Sequence, residues 1–416
     1  LDNISLSLRQ LKEKIETTHF SQTTSSMKRI ILHGCLLLTG LIAVLMLTGQ
    51  PLVAAKPSDA TTDQLKYKDV MATMERANRY FMTKYADVAA PSHVRGVTRP
   101  SHIWTRGVYY EGLMSLHQIN PREEYLQYAT DWADAHQWGL HRGNTTRNAD
   151  NQCAGQTYLE LYKLEPTPDK IKNIRICMDM LVNTPQNGDW TWIDAIQMGM
   201  PILALMGQVT QDERYWEKAW QMYSETRNVI GGGLWNEKDG LWWRDAAFCP
   251  PFVTPNGKQC YWSRGNGWVF AALARYMERT PSNEAHRKQY VKDFKAMAKA
   301  LVPLQREDGY WNPSLADPDD FGGKESSGTA LFVFGMAWGI RQGILPAREY
   351  MPVVVKGWKA LEEAVHPDGF LGYVQGTGKQ PSEGQPVTYD NEPDFEDYAL
   401  GCLLMAGSEV YKLCRE

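Results

Sequence analysis

Apolar positions in this chain recur every three to four residues, the spacing that lays one apolar stripe along a helix. Six such segments are amphipathic and charged: roughly 64–86, 121–138, 167–183, 211–228, 283–304 and 347–366. Between them lie six richer in small and apolar residues, roughly 105–118, 151–163, 194–207, 266–278, 328–341 and 397–412. The first set predicts outer helices with one buried face, and the second predicts helices buried on most sides. No convincing run shows the alternation of a half-buried strand. An outer and an inner helix alternating six times predicts an all-α fold, six helical hairpins closed into a toroid. An open helical solenoid would use the same pairs.

Weak internal repetition fits the toroid. Trp104-Thr105-Arg106-Gly107 recurs as Trp262-Ser263-Arg264-Gly265, each opening an inner segment. An Asp-Gly-aromatic turn recurs at Asp239-Gly240-Leu241-Trp242, Asp308-Gly309-Tyr310-Trp311 and Asp368-Gly369-Phe370, always between an outer segment and the next inner one. These turns are therefore expected at one end of the ring. No low-complexity linker divides the chain, so residues 56–416 are read as a single domain.

The N-terminus changes the picture of where the protein works. Met27-Lys28-Arg29 opens a basic region, an apolar run follows to about Leu47, and Val53-Ala54-Ala55 offers small residues for cleavage. Residues 27–55 therefore read as a bacterial-type signal peptide, and 1–26 as an upstream extension outside the mature sequence. A membrane anchor is the alternative, but His33, Gly34, Thr39 and Gly40 interrupt a short apolar run. Export to the periplasm or beyond is the expectation, with no lasting membrane insertion. Cys249 and Cys260 flank a Pro/Gly loop and are candidates for a local disulfide there.

Formal net charge is only -4 in 416 residues, so nothing indicates a nucleic-acid partner. No Cys/His cluster has metal-ligand spacing, and no cofactor fingerprint appears. The 15 Trp are a heavy load, and their flat apolar faces with a polar edge suit sugar rings as well as cores.

Three segments place polar groups at the starts of inner helices: Asn148-Ala149-Asp150-Asn151-Gln152, Trp190-Thr191-Trp192-Ile193-Asp194, and Tyr261 to Trp268. Helix capping is the plain reading of Asp150 and Asp194. As a pair walled by Trp190 and Trp192, they would raise one another's proton affinity, and paired carboxylates are the usual equipment of glycoside cleavage. Arg264, beside Gly265-Asn266-Gly267, is free of bulk and suits a bidentate clamp on a substrate carboxylate, or a salt bridge to a nearby loop.

At these segments the chain resembles the unsaturated rhamnogalacturonyl hydrolases, glycoside hydrolase family 105. The matching pieces are Trp192-Ile193-Asp194 with Met198 and Pro201, the run Trp262-Ser263-Arg264-Gly265-Asn266-Gly267-Trp268, Asp150-Asn151, Glu325 to Ala330 and Asp368 to Gly372. The resemblance implies an (α/α)6 barrel and hydration of the Δ4,5 double bond that a lyase leaves at the non-reducing end of pectin-type oligosaccharides. It places the catalytic acid on Asp194 and the water-orienting carboxylate on Asp150. Substrate-binding positions fall on Trp262, Arg264, Trp268 and Met198, with Trp104 in the related repeat, and no cofactor or metal is implied. Where many relatives carry His before the Trp-x-Arg-Gly motif, this chain has Arg244, which is expected to face the substrate. Unsaturated glucuronyl hydrolases acting on glycosaminoglycan fragments share fold and carboxylates, and a sugar-binding toroid without activity is the remaining alternative.

Overall fold

The computed structural model describes residues 65–94, 96–394 and 396–415, so the extension and signal peptide expected over 1–55 lie outside the described residues. Six outer helices are present: α1 (Tyr67–Lys84), α3 (Glu123–Ala135), α6 (Pro168–Val182), α8 (Arg214–Asn228), α10 (Arg287–Leu301) and α13 (Ala347–Ala364). The inner helices are α2 (Trp104–Ile119), α5 (Gly155–Leu164), α7 (Asp194–Thr210), α9 (Ser263–Arg279), α12 (Ser326–Arg341) and α14 (Asp397–Leu413). Two single turns, α4 (Ala149–Gln152) and α11 (Pro318–Phe321), sit in connecting loops. The only strands among the described residues form two short hairpins, β1 (Ser92–Val94) with β2 (Val97–Arg99), and β3 (Trp235–Asn236) with β4 (Leu241–Trp242).

Burial follows the predicted division. In α1 only Val70, Thr73, Met74, Ala77, Asn78 and Phe81 are buried, one stripe at helical spacing. In α9 every residue from Ser263 to Met277 is buried. Inner helices pack in the cyclic order α2, α5, α7, α9, α12, α14 and back to α2. The ring therefore closes, and the expected toroid replaces the open solenoid.

Closure depends on small residues. Where α2 crosses α14, a side chain at Gly401 would run into the backbone of Val108, and one at Gly112 into Gly401 itself. Backbone cannot move aside as a rotamer can, so the two helices approach this closely only because both positions lack a Cβ. Gly401→Ala is expected to cost about 2–3 kcal/mol. A thermal melt checks this; an unchanged Tm would mean that the seam yields easily.

The recurrent turns behave as one device. Gly240, Gly309 and Gly369 all have positive φ, at 67°, 91° and 105°. Each lies against the backbone of the next outer helix, at Ala296 of α10, Lys356 of α13 and Arg76 of α1. The last of these ties the final hairpin to the first. Because every such turn leads into an inner helix, the N-termini of the inner helices gather at one end with their loops.

Candidate active site

At that end a cleft of about 180 Å³ is lined by Arg99, Trp104, Asp150, Trp192, Asp194, Met198, Arg244, Thr377 and Gly378. It thus collects side chains from β2, from the starts of α2 and α7, from α4, and from the loops after β4 and before α14.

Neither aspartate caps its helix. The Asn148 side chain caps α4 by accepting the Asp150 amide at 2.9 Å, which leaves the Asp150 carboxyl to the cleft. Asp194 stands at the first turn of α7, whose N-cap residue Ile193 has no side-chain acceptor. Met198 follows one helical turn later on the same face and is buried.

Arg244 reaches Asp194 through a short cross-link between two loops. The Ile193 amide donates to the Arg244 carbonyl at 2.9 Å, and Trp192 bridges to Asp245. The Arg244 Nε then donates to Asp194 Oδ2 at 3.0 Å, and its Nη1 to Asp245 Oδ2 at 2.8 Å. Asp245 is held in turn by accepting the Ala247 amide at 2.9 Å.

The two carboxyls therefore sit in unlike surroundings. Burial, followed by the negative charge of Asp194, pushes the Asp150 carboxyl up to about 7; Arg244 and Arg99 oppose this only partly. Asp194 is instead paired with the Arg244 guanidinium. Near neutral pH the Asp150 carboxyl is therefore partly protonated. Unlike surroundings of this kind divide the work between carboxyls in acid–base sites.

Other predicted residues lie elsewhere. The Arg264 side chain is buried and points away from the cleft: Nη1 donates to the Gln375 carbonyl and Nη2 to the Gly376 carbonyl, both at 2.8 Å. Its guanidinium lies over the rings of Trp262 and Tyr398, at 4.5 and 4.9 Å. The expected clamp on a substrate carboxylate is thus corrected to a clamp on the loop that carries Thr377 and Gly378. Buried carbonyls compete for a guanidinium, and here they have taken it, the Gln375 carbonyl accepting from the Tyr398 hydroxyl as well. Trp262 is buried, its indole N–H donating to Gln375 Oε1 at 3.0 Å on the same loop. Trp268 is fully buried, edge-on to Trp104 at 6.4 Å, and does not reach the cleft. Of the two tryptophans expected to wall the carboxylates, Trp192 lines the cleft, whereas Trp190 is fully buried against Gly199.

The same motif braces the other side. Asn266 accepts the Trp242 amide at 2.8 Å and donates to the Trp242 carbonyl at 3.1 Å, fixing the strand that leads to Arg244. Residues Trp262 to Trp268 thus position two cleft loops without lining the cleft themselves. Arg99, Thr377 and Gly378 escaped the sequence reading. Arg99 lies in a three-residue strand too short for any period, and Thr377 is placed by Asp394, which accepts its amide at 2.6 Å. Cys249 and Cys260 are free buried thiols, so the candidate disulfide is absent. Among the described residues no His, Cys, Asp or Glu side chains gather as a metal site, and no helix is long and apolar enough to cross a membrane.

Comparison with known proteins agrees with this architecture. Residues 73–414 match the model of Glycosyl Hydrolase Family 88. An unsaturated 3S-rhamnoglycuronyl hydrolase of Formosa agariphila is 32% identical over 331 residues, covering 74% of this chain and 84% of that protein. The solved structure of a family 88 glycosyl hydrolase from Bacteroides vulgatus is 32% identical with a TM-score of 0.76, covering 84% of this chain and 100% of the other. A possible family 105 member from Salmonella enterica, 20% identical with a TM-score of 0.67 over 88% of this chain and 98% of its own, shares the fold. The family resembled at the sequence level and the family matched here thus have one architecture, and the chain belongs to Glycosyl Hydrolase Family 88 and is a glycoside hydrolase.

Proposed function

We propose that the enzyme removes a Δ4,5-unsaturated uronic acid from the non-reducing end of lyase-generated oligosaccharides by hydrating the vinyl ether. The observation that carries this reading is the pair of cleft carboxyls, with Asp150 pushed up to about 7 and Asp194 beside a guanidinium. Asp194 protonates C4, and positive charge develops at C5, stabilised by the ring oxygen. Asp150 takes a proton from the water that adds at C5. The resulting hemiketal opens, C1 becomes an aldehyde, and the remaining saccharide leaves as an alcohol. Trp104, Trp192 and Met198 provide apolar surface for the sugar, while Arg99 and Arg244 complement its carboxylate. No step requires a metal, since protonation alone activates an enol ether.

The leaving sugar is read as rhamnose, the sugar named in the activity of the Formosa relative. Export is part of the same reading, supported by the Met27 to Ala55 pattern and by the extracellular origin of lyase fragments.

The test is loss of ultraviolet absorbance from the conjugated uronate. Unsaturated uronyl-rhamnose is supplied with and without a 3-O-sulfate, and a glycosaminoglycan disaccharide is run alongside. Turnover of plain rhamnoside points to pectin-type fragments and preference for the sulfated one to a sulfated polysaccharide, whereas silence on all three sinks the hydrolase mechanism. The pH profile is a second check. The free enzyme must carry the Asp150 proton, so kcat/KM is expected to fall about tenfold per pH unit above about 7. A rate constant flat to pH 9 would place the essential proton elsewhere.

A further inference from the structure

The ion pair between Arg244 and Asp194 poses a chemical problem for the reaction just described. An acid is needed at Asp194, yet a guanidinium 3.0 Å from its Oδ2 stabilises the form that has no proton to give. Arg244 is also built to let go. Its Nη1 is anchored separately by Asp245, and Asp245 is fixed by the Ala247 amide. The side chain is one-fifth exposed and lines the cleft. A second anion entering the cleft can therefore replace Asp194 on this guanidinium without disturbing its anchor.

We propose that Arg244 exchanges Asp194 for the C6 carboxylate of the substrate, and that this exchange converts Asp194 into the acid. The inference rests on the hydration reading above. Arg244 is in this sense a positioning residue for a proton as well as a binding group.

The proton count closes around the cycle. In the proposed cycle the proton starts on Asp150, whose carboxyl is pushed up to about 7, while Asp194 is paired with Arg244. When the uronate takes Arg244, Asp194 keeps its charge in a buried position with no counter-ion, a costly state. Asp150 faces the opposite bias, because Arg99 still favours its charged form. The proton then passes from Asp150 to Asp194. Asp194 gives it to C4 as the C4–C5 π bond breaks; water forms the C5–O bond and gives its own proton to Asp150. Asp150 ends protonated and Asp194 ends as a carboxylate, which is the resting state. One water is consumed, and no proton enters from or leaves to solvent.

Substrate charge provides the test. The unsaturated uronyl disaccharide is compared with its C6-reduced counterpart, which keeps the enol ether but loses the anion and its conjugation, so turnover of both is followed by release of the free sugar. Wild type is expected to turn over the reduced compound with kcat roughly 100-fold lower at saturation, because Arg244 stays on Asp194. Arg244→Gln is expected to lose kcat/KM on the uronyl compound yet to turn over the reduced one about tenfold faster than wild type does, since its acid is no longer held as an anion. Equal kcat for the two compounds in wild type, with only KM apart, would make Arg244 a simple binding group and overturn the inference. So would a variant that slows both compounds by the same factor, the signature of a purely structural role. The wild-type comparison requires no substitution, so misfolding of the variant leaves a decisive arm. Wild type inactive on the uronyl compound itself would remove the hydration reading and this inference with it.

Discussion

Asp194→Asn is expected to lower kcat by between about a hundred and ten thousand fold, with KM changed little and the fold intact. The amide oxygen still accepts from Arg244 Nε, so the cross-link between the loops before α7 and after β4 survives. What is lost is the ability to hold and release an acidic proton. A second signature separates this from general damage. Burial and the Asp194 charge together raise Asp150, and the variant removes the charge but not the burial. The alkaline limb of the residual activity should then move below pH 7. Steady-state rates across pH, with a melt to verify folding, check both effects. Full activity in the variant would move the acid to another residue.

Arg275→Met is expected to destabilise the protein by about 3–5 kcal/mol, through a mechanism that pH reveals. Along the barrel interior beneath the cleft, Arg275 of α9 pairs with Glu111 of α2, both almost fully buried. Gln197 of α7 donates to the same carboxylate at 3.0 Å, and the Cys153 thiol donates to its other oxygen at 3.2 Å. Three inner helices therefore meet on one charge. Burial alone would drive the Glu111 carboxyl up strongly, and Arg275 is the main opposing influence. Without the arginine, the folded-state value rises further above the unfolded one. Stability is then retained at pH below the unfolded value and lost as pH rises through the folded one. The variant should melt closest to wild type in acid and fall away toward neutrality. Adding Glu111→Leu should restore most of the loss at pH 7, because no lone charge remains buried. A deficit independent of pH would point to lost packing instead.

The two predictions rest on different kinds of information. The twelve barrel helices were legible because a helix with one or more buried faces must repeat its apolar residues near 3.6, and long stretches such as 347–366 or 397–412 contain enough repeats to show it. Asp150 and Asp194 were legible because a polar residue opening an inner helix stands at the ring's end whatever the packing details. Arg99 was not, since three residues of strand carry no period and its role exists only beside Asp150.

The motif from Trp262 to Trp268 shows the limit most sharply. Its residue types suit a sugar-acid site as well as they suit a buried brace, and nothing in their spacing separates the two. The choice depended on which acceptors the folded chain brought within reach. The Gln375 and Gly376 carbonyls come from more than a hundred residues away and are buried against Arg264, so its guanidinium turned to them. Arg244 met the opposite circumstance, a carboxylate at the edge of an open cleft. Helical periodicity, the order of outer and inner helices, and the carboxylates at inner-helix starts were thus determined by the sequence itself, because they depend on neighbours a few residues apart. Which arginine binds backbone and which lines the cleft, and which aspartate is raised by burial, was decided only by tertiary structure, because hydrogen-bond satisfaction and desolvation depend on groups that meet only when the ring closes.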